Sequence, residues 1–539
     1  MSAVEFTASG ASRSCQGVVE LLRLQSSAST TGTVSIQPET QPLEGVVRSK
    51  LALARRAQAK WCDLAIRDRL RILNGLRFRI TNDPRSLAAT VGRENIAETL
   101  AAEVLPLLDA CRFLEREATR ILKATNASKR SRPTWLWGTT VELIPEPLGV
   151  VLVIGPSNYP LMLPGIQALQ AVAAGNVVLV KPAVNCSLAM QTLVDLAESV
   201  GLPVGVMQIL PESPDAAAMA IRSVVDKVFF TGSATTGQLV SRELAASTTP
   251  AVMELSGCDA VFVLDDADPE LVSDCLVLGL TLSQSQTCMA PRRVFASDAM
   301  TDRILPLLQQ KLDARANDTD SGRPGGEAGH RALRFVAEKI QEAISAGAQL
   351  VHGSLSPRGD QTELSGVVIL DQVTSDMSVA RTDLFAPVLS FLRVADEEQA
   401  LREHVQCPWV LSASVFGSTA RCQLFARRIH AGCVTINDLI VPTADPRVSF
   451  GGRGRSGHGV TRGAAGLLEM TQLKAIVSTR PWFKPHLKPP TPLDADVLEQ
   501  LIRLEHSTSV LHSLRIVPGL MRSMLAQLKF RKSAGGNGS

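Results

Sequence analysis

The stretch 149–182 reads GVVLVIGPSNYPLMLPGIQALQAVAAGNVVLVKP and combines two kinds of apolar pattern. Residues 149–154 and 177–180 are short continuous apolar runs, which are typical of buried strands. Residues 165–174 have the length and the spacing of a helix. A strand, a helix and a second strand in this order predict a βαβ unit whose two strands run parallel.

The same alternation continues as far as residue 246. The next predicted elements are a helix at 187–200, a strand at 206–210, a helix at 215–224, a strand at 228–231 and a helix at 235–246. Successive βα units predict a doubly wound parallel sheet with helices on both faces. Ligands of such sheets bind beyond the carboxyl ends of the strands, so a site is expected in the loops after Ile154, Val180 and Thr231.

The segments on either side of this sheet have other patterns. Residues 1–45 are rich in Ser and Thr and predict a loosely held arm, with a short helix at 17–24. Apolar residues at helical spacing fill the segment from 43 to 122. Residues 134–137 and 141–144 predict a hairpin or an edge pair of strands.

A second α/β region is predicted between residues 261 and 449. Its strands include 261–264, 388–394 and 412–416, and its helices are predicted at 269–280, 301–315, 330–346, 397–403 and 420–429. A Gly- and Asp-rich loop is expected at 317–329. The residues after 480 begin with a Pro-rich segment and form a separate tail.

Composition excludes several classes of protein. A chain of 539 residues is long enough for two sizeable domains. The 55 basic and 52 acidic residues give a net charge of +3, which indicates no nucleic-acid partner. The ten cysteines form no CxxC pair, which favours a reducing compartment and argues against a metal site. The N-terminus has no secretory signal pattern and no run is apolar enough to span a membrane, so a cytoplasmic protein is predicted.

Cys288 is the candidate nucleophile. It follows an apolar run that begins at Leu276 and it lies in a Ser- and Gln-rich turn. A thiol at the junction of a buried element and a loop can have a lowered pKa and act as a nucleophile. The alternative is that Cys288 is a small core residue, as most unpaired cysteines are.

Two of the loops at strand ends carry candidate polar side chains. Asn158 lies between Pro156 and Pro160, so its amide can be held in place to stabilise developing negative charge, or it can simply cap the loop. Lys181 follows the strand at 177–180 and can reach a ribose or a phosphate, or it can be solvated.

A third loop and a carboxylate complete the candidates. The segment TGSATTG at 231–237 enters a helix whose free N–H groups favour a pyrophosphate, although it is not a GxGxxG fingerprint. Glu254 is flanked by apolar residues, and its burial would raise its pKa toward the range of a general base. An isolated carboxylate of this kind can equally be a paired structural group.

The order of the motifs resembles that of the NAD(P)-dependent aldehyde dehydrogenase superfamily, especially its class 3-like members. The motifs span residues 50–480 and are EPLGVVLVIGPSNYP (146–160), GNVVLVKP (175–182), FFTGSATTG (229–237), MELSG (253–257), QTCMAP (286–291), DLFAPV (383–388), ND (437–438) and SFGGRGRSGHG (449–459). The resemblance implies an α/β fold with two doubly wound α/β domains and a small β oligomerisation element.

The resemblance also implies domain boundaries. The dinucleotide-binding domain would comprise 46–133 and 148–256, and the catalytic domain 257–454. The oligomerisation element would comprise 134–147 and 455–480, with a C-terminal tail at 481–539. Members of the family pair through such strands, so the resemblance implies a homodimer.

Roles of single residues follow from the resemblance. Cys288 would attack the aldehyde to give a thiohemiacetal, and Asn158 with the Cys288 N–H would form the oxyanion hole. Glu254 would activate the water that hydrolyses the resulting thioester to a carboxylic acid. NAD or NADP would be held by Pro156, Lys181, Gly232, Ser233, Gly237, Asp383 and Phe385. No metal is implied.

Four positions depart from the family's pattern. Val184 stands where the family often has a glutamate for the ribose 2′-hydroxyl, so NADP should be tolerated or preferred. Asp383 is one methylene shorter than the usual glutamate, which predicts a looser hold on the nicotinamide ribose. Ser285 replaces a glycine and would narrow the approach to Cys288. Cys258, after MELSG, is expected to be a packed core residue, with a redox role as the alternative.

Basic residues raise two further questions. Arg292, Arg293, Arg453 and Arg455 can favour an anionic substrate, but solvated surface positions are expected for all four. The tail from 497 to 532 combines apolar helical patterns with basic residues and lacks the length for a span, so peripheral contact with an anionic membrane is one hypothesis and dimer packing is the other.

Three functions remain open from the sequence. The first is a hydrolytic aldehyde dehydrogenase with a small-molecule aldehyde as its substrate. The second is a relative that passes the thioester to coenzyme A, and the retention of Glu254 argues against it. The third is a catalytically silent binding or scaffold protein, which the changes at Val184, Ser285 and Asp383 suggest.

Overall fold

The computed structural model describes residues 42–535 except 137, 316–325, 359–360, 481–483 and 488. Most of the predicted N-terminal arm, with its short helix at 17–24, therefore lies outside the described residues. The helices are α1 Leu43–Trp61, α2 Ile66–Asn82, α3 Pro84–Ala89, α4 Ile96–Thr99, α5 Leu105–Ile121, α6 Met162–Ala174, α7 Ser187–Ser199, α8 Pro214–Arg222, α9 Ala234–Ala245, α10 Pro269–Thr281, α11 Asp298–Arg315, α12 Gly326–Ser345, α13 Glu397–His404, α14 Thr419–Ala426, α15 Gly463–Leu468, α16 Pro492–Glu505 and α17 Val510–Gly535.

The strands form sheets of six, seven, three and two strands. They are β1 Thr125–Asn126, β2 Thr139–Pro147, β3 Val150–Ile154, β4 Val177–Lys181, β5 Met207–Ile209, β6 Lys227–Gly232, β7 Ala251–Leu255, β8 Asp259–Val263, β9 Pro291–Ala296, β10 Gln349–Arg358, β11 Gln361–Asp371, β12 Val388–Arg393, β13 Trp409–Val410, β14 Ser412–Phe416, β15 Cys433–Ile436, β16 Arg453–Gly454, β17 Gly457–His458 and β18 Thr471–Thr479.

The six-stranded sheet has the order β17-β7-β6-β3-β4-β5. Strands β3 to β7 are parallel, and β17 pairs antiparallel with β7 at the edge. Every residue of β3 and β4 is buried, because helices cover both faces of a parallel sheet. The chain runs outward from β3 in one direction and resumes at β6 on the other side, so the strand order reverses between β3 and β6 and favours a ligand site there.

The seven-stranded sheet has the order β10-β11-β12-β9-β8-β14-β15. All its pairings are parallel except that of β10 with β11. Buried residues of α12, α13 and α14 form one core with one face of the sheet, and those of α10 and α11 form a second core with the other face. The prediction of a second doubly wound α/β region is confirmed.

Two local predictions are wrong. The pair of strands at 134–137 and 141–144 is absent, because Thr134–Leu136 is a 3-10 turn and β2 pairs instead with the short strand β1. The loop expected at 317–329 is helical from Gly326, where α12 begins, and its residues up to 325 lie outside the described part.

The chain divides into two compact units. One comprises Met1–Leu122 and Pro147–Gln472, and the other comprises Lys123–Glu146 and Leu473–Ser539. The first unit contains both large sheets, and the second contains most of the sheet β1-β2-β18 together with α16 and α17. The predicted boundary between a dinucleotide-binding and a catalytic domain stays a prediction. Within the described ranges, no helix is long and apolar enough to cross a membrane.

Candidate active site

Cys288 lies just after a strained turn between α10 and β9. Three consecutive non-glycine residues of this turn, Ser283, Gln284 and Ser285, have φ values of 48°, 54° and 59°. Such left-handed residues cost energy and persist only when their surroundings hold them. Arg292 supplies that hold, since its Nη1 donates to Ser285 Oγ and its Nη2 to the Ser285 carbonyl, each at 2.7 Å. The serine in place of glycine is therefore an anchor for the turn.

The loop after β3 is bonded to the same turn. The Asn158 side-chain Nδ2 donates to the Gln286 carbonyl at 2.9 Å, and the Tyr159 hydroxyl lies 2.7 Å from Thr287 Oγ1. These contacts join residues that are 128 positions apart in the chain. Asn158 is therefore bonded two residues before Cys288. We call residues 283–288 the nucleophile turn.

An ion pair between Arg93 and the buried Glu103 holds the loop that contains Asn158 in place. Arg93 donates to the Asn158 carbonyl and pairs at 2.9 Å with Glu103, which is fully buried in a π-helical turn. Glu103 accepts hydrogen bonds from the backbone N–H groups of Leu161 at 3.1 Å and Met162 at 2.7 Å. Burial raises the pKa of Glu103 to about 7, although Arg93 opposes the shift. Sequence reasoning missed both members of this pair, and π-helical turns do occur often at functional sites.

Glu254 lies in β7 and is buried, with only 2% of its surface exposed. Its Oε2 accepts a long hydrogen bond of 3.4 Å from Thr461, while its Oε1 is buried and has no hydrogen-bond partner among the described residues. Burial raises the pKa of Glu254, and Arg462, Thr461 and Thr231 oppose the shift. An unpaired buried carboxylate with a raised pKa has the properties of a general base.

The Cys288 thiol has a pKa well above its ordinary value. Burial is the main cause, and the charges of Glu254, Asp259 and then Asp383 raise the pKa further. Arg462 is the group that lowers it. The expectation of a lowered thiolate pKa is therefore wrong for this arrangement. The thiol is held protonated and needs a base to become a nucleophile.

Arg462 is the cation that lowers the pKa of both Cys288 and Glu254. Sequence reasoning missed it. It is 7% exposed, its guanidinium lies 4.7 Å from the centre of the Phe450 ring, and its Nη1 donates to the Thr443 carbonyl at 2.7 Å. Its Nε is buried without a hydrogen-bond partner in the described part of the chain. Its own pKa is lowered by burial and raised by Glu254 and Cys288. The positive charge thus acts on the thiol and on the carboxylate together.

A small cavity of about 10 Å³, room for about one water molecule, adjoins Arg462. Its walls are mainly apolar and include Phe113, Leu114, Ile166 and Pro446. Gln170 also lines it, with a buried Oε1 that has no hydrogen-bond partner among the residues described. The cavity therefore has apolar walls and one unpartnered polar atom, and it is too small to hold an aldehyde.

Lys181 ends β4 and is 8% exposed, so it is not a solvated surface lysine. Burial lowers its pKa and the charge of Glu212 raises it. The Glu212 carboxylate accepts from the backbone N–H groups of Asn185 at 2.7 Å and Ser187 at 2.8 Å, so it is already engaged. Val184 is 58% exposed at the same edge of the sheet.

The loop from β6 into α9 has the form expected for a pyrophosphate site. Gly232 ends the strand, and the Ser233 side chain caps the helix by accepting from the Thr236 N–H at 3.2 Å. A Cβ on Gly237 would lie 2.6 Å from a Leu255 methyl carbon, so a larger residue there would require the Leu255 side chain to move. The first N–H groups of the 12-residue helix remain suited to an anion.

Asp383 and Phe385 form a tight turn. Asp383 accepts from the Phe385 N–H at 3.0 Å and from the Ser256 side chain, and burial raises its pKa. Arg292 Nε lies 3.9 Å from Asp383, and the same arginine donates to the Ala386 carbonyl at 2.7 Å. Phe385 has a φ of 47° and is 38% exposed. Arg292 therefore joins this turn to the nucleophile turn.

Of the four arginines considered as substrate-binding residues, two are exposed and two are buried. Arg453 and Arg455 are exposed, as expected. Arg292 and Arg293 are 3% and 1% exposed, so the prediction of surface positions is wrong for them. Arg293 donates to the Cys258 carbonyl at 3.1 and 2.9 Å, and Cys258 is fully buried. Both buried arginines bind carbonyl groups of the protein, which compensates for their burial.

Residues 30–476 match the sequence profile of the Aldehyde dehydrogenase family. The match covers both large sheets and all the segments of the candidate site. The chain belongs to this family. NAD(P)-dependent oxidation of an aldehyde is the activity that membership gives.

Relatives and solved structures of this aldehyde dehydrogenase agree over most of their lengths. Betaine aldehyde dehydrogenase 2 of Rhizobium meliloti (strain 1021) is 30% identical over 443 residues, which are 80% of this chain and 89% of the relative. The structure of an NAD-dependent aldehyde dehydrogenase from Sinorhizobium meliloti has a TM-score of 0.74 and 26% identity, covering 82% and 89% of the two chains. The NADP-dependent glyceraldehyde-3-phosphate dehydrogenase from Bacillus halodurans C-125 complexed with NADP has a TM-score of 0.71 and 27% identity, covering 81% and 91%.

In this aldehyde dehydrogenase, the predicted site residues fall into two groups. Cys288, Asn158 and Glu254 lie around the nucleophile turn, through the contacts and charges given above. Lys181 and the Gly232 loop lie at the carboxyl edge of the six-stranded sheet, as does the loop after β3 that contains the partly exposed Pro156. The roles of these residues toward cofactor and substrate are inferred below.

Proposed function

We propose that this aldehyde dehydrogenase converts its substrate to a carboxylic acid through Cys288, Asn158 and Glu254. The observation that carries the proposal is that these residues come from three distant segments and meet at one turn. Asn158 is hydrogen-bonded to this turn, and the charge of Glu254 raises the pKa of the Cys288 thiol. A nucleophile, an amide donor and a buried base are the groups that acyl transfer through a thioester requires.

The first step is activation of the thiol. Because burial and nearby carboxylates raise the Cys288 pKa, the proton must be taken by a base as the thiol attacks. Glu254 has the raised pKa and the unpartnered Oε1 to accept it. Attack of the sulfur on the aldehyde carbon forms a thiohemiacetal, and its oxyanion is stabilised by Asn158 Nδ2 and the Cys288 N–H.

The second step leaves a thioester on Cys288, which water hydrolyses. When bound, NAD or NADP would accept the hydride. The dinucleotide would be held by Lys181, the loop from Gly232 to Gly237, Pro156, Asp383 and Phe385. Glu254 releases the thiol's proton to solvent and then takes a proton from the attacking water. The C–S bond of the resulting adduct breaks, the sulfur recovers a proton from Glu254, and the carboxylic acid leaves.

The assay that tests this function follows the absorbance of reduced cofactor with a panel of aldehydes. Turnover without coenzyme A supports hydrolysis, and turnover that depends on coenzyme A supports the acylating alternative. Glu254 favours hydrolysis, since a base is needed for water and not for a thiol acceptor. No turnover with any aldehyde would leave the silent scaffold as the function.

Arg462 is expected to stabilise the ionised forms of the thiol and of Glu254. Replacing it with leucine removes a buried positive charge, so both pKa values rise further. We expect kcat/KM of Arg462→Leu at neutral pH to fall about tenfold, which corresponds to a shift of roughly one pKa unit, and to recover as pH rises. The measurement is the pH profile of kcat/KM, together with the rate of Cys288 alkylation by iodoacetamide without cofactor.

Arg462→Lys serves as the matched variant, because it keeps the charge. We expect it to restore most of the wild-type pH profile. An equal loss in Arg462→Leu at every pH, with an unshifted alkylation profile, would assign Arg462 a purely structural role.

We propose that the cofactor site accepts NADP as well as NAD. Val184 offers no carboxylate to a ribose 2′-hydroxyl or against a 2′-phosphate, and Glu212 is engaged by the backbone. We expect Val184→Glu to lower kcat/KM with NADP at least about tenfold relative to NAD, the cost of a like charge close to the phosphate. Calorimetric Kd values for the two cofactors provide a second readout.

Val184→Gln is the control for this prediction, since it has the same length without the charge. It should leave the ratio of NADP to NAD close to wild type. A wild-type protein that strongly prefers NAD, or a ratio unchanged by Val184→Glu, would contradict the prediction.

We also propose that the protein is a cytoplasmic homodimer. The proposal rests on the small sheet β1-β2-β18, in which most residues of β18 are exposed and several are apolar. An exposed apolar strand is normally covered by a partner. Light scattering coupled to size exclusion measures the mass, and a monomer would contradict the dimer.

A further inference from the structure

The C-terminal helices α16 and α17 pack against each other by one face of each. On α17 the face toward α16 contains Ser513, Ile516, Leu520 and Gln527, and Ile516 is 8% exposed. A capping box at Thr491 and Asp494 starts α16, so the helical hairpin has a defined beginning. The hairpin therefore has an ordered inner side and a separate outer side.

The outer side of α17 is a continuous apolar stripe. Its residues recur at helical spacing of three and four and keep between 37% and 73% of their surface exposed. They are Leu511, Leu514, Val517, Met521, Met524, Leu525 and Leu528. Scattered exposed leucines are ordinary, but a stripe of this length is typical of an interaction surface.

A row of positive charge borders the stripe. Arg515, Arg522 and Lys529 recur every seventh residue, so they lie on one side of the helix, two turns apart. The sequence from 506 to 535 contains no acidic residue. The exposed acids of the hairpin are on α16, where Glu499 is paired with Arg503. The surface of α17 is thus apolar along one side and purely basic beside it.

We propose that α17 docks on an anionic membrane surface, with its apolar stripe in the interface and its basic row against the lipid headgroups. An amphipathic helix with basic residues flanking the apolar face has the composition that binds such surfaces. The long basic side chains can place their charges at the headgroups while their stems cover apolar surface. The docking is peripheral, because α17 is not apolar enough to span a membrane. Charge complementarity favours an anionic membrane over a second copy, which would bring two basic rows together.

The test is cosedimentation of the full-length protein with vesicles. We expect it to pellet with vesicles of equal parts phosphatidylcholine and phosphatidylserine, and to stay in solution with phosphatidylcholine alone. Replacing Arg515, Arg522 and Lys529 by glutamine should weaken partitioning on the order of 100-fold, since each basic residue contributes about 1 kcal/mol. A double variant Met521→Glu and Leu525→Glu should abolish pelleting.

Leu424→Glu is the matched control, because Leu424 is an equally exposed leucine, 68% accessible, outside the hairpin. It should pellet like wild type. Dehydrogenase activity and molecular mass are measured for every variant to show that each is folded. The proposal is overturned if wild type does not pellet with anionic vesicles or if the double glutamate variant pellets equally well. It is also overturned if the double variant changes only the oligomer mass, which would make a second copy the occupant.

Discussion

Cys288→Ser should abolish dehydrogenase activity, with kcat reduced by at least about 10³-fold, because a hydroxyl replaces the proposed nucleophile. A serine hydroxyl ionises far less readily than a thiol, so the base that suffices for Cys288 does not suffice for it. The change removes no packing volume of consequence, and Cys288 is only partly exposed. The measurement is reduced-cofactor absorbance under saturating aldehyde.

Cys62→Ser is the control for this variant, because Cys62 is an exposed cysteine at the C-cap of α1 and is not among the site residues. It should retain full activity. Iodoacetamide should inactivate wild type and Cys62→Ser alike. Residual turnover of Cys288→Ser near the wild-type rate would show that another group is the nucleophile.

At alkaline pH, where solvent base can deprotonate the thiol, Glu254→Gln should give a burst of reduced cofactor followed by almost no turnover. The amide cannot accept a proton from water, so the thioester forms and is not hydrolysed, and steady-state kcat falls about 10² to 10⁴-fold. The burst should approach one reduced cofactor per subunit at alkaline pH, and it should be slow at neutral pH, where the thiol lacks its base. Stopped-flow absorbance at two pH values measures both phases.

Glu117→Gln on the surface of α5 is the matched control and should behave as wild type. Coenzyme A added to Glu254→Gln separates two outcomes. If, at alkaline pH, it raises steady-state turnover to the rate of the burst, the acylating reaction is the function, because a thiol acceptor needs no base at Glu254. If turnover stays low, hydrolysis is the function and Glu254 is its base.

The fold was largely readable from the sequence because its strands are continuous apolar runs. The runs at 150–154 and 177–181 are buried on both faces, so nothing in their pattern competes with the strand assignment. The pairing of β2 was not readable. Its partner, Thr125–Asn126, is two polar residues long and has no strand pattern of its own.

The sequence predicted site residues only where a recognisable motif contains them. Arg462, Arg93 and Glu103 carry no motif, and their importance lies in contacts with residues far away in the chain. Arg292 was misjudged because arginine is usually exposed, whereas here Ser285 and Ala386 supply acceptors that only the folded chain brings together. The Cys288 pKa was misjudged for the same reason, since Glu254, Asp259 and Asp383 converge on the thiol only after folding.

The central claim is that the substrate becomes covalently attached to Cys288, and peptide mapping tests it most directly. Glu254→Gln is mixed at alkaline pH with an aliphatic aldehyde and oxidised cofactor, quenched in acid, digested and analysed by mass spectrometry. The expected result is an acyl group on the peptide that contains Cys288 and on no other cysteine. Formation of reduced cofactor with Cys288 unmodified, or with the acyl group on a different residue, would contradict the account.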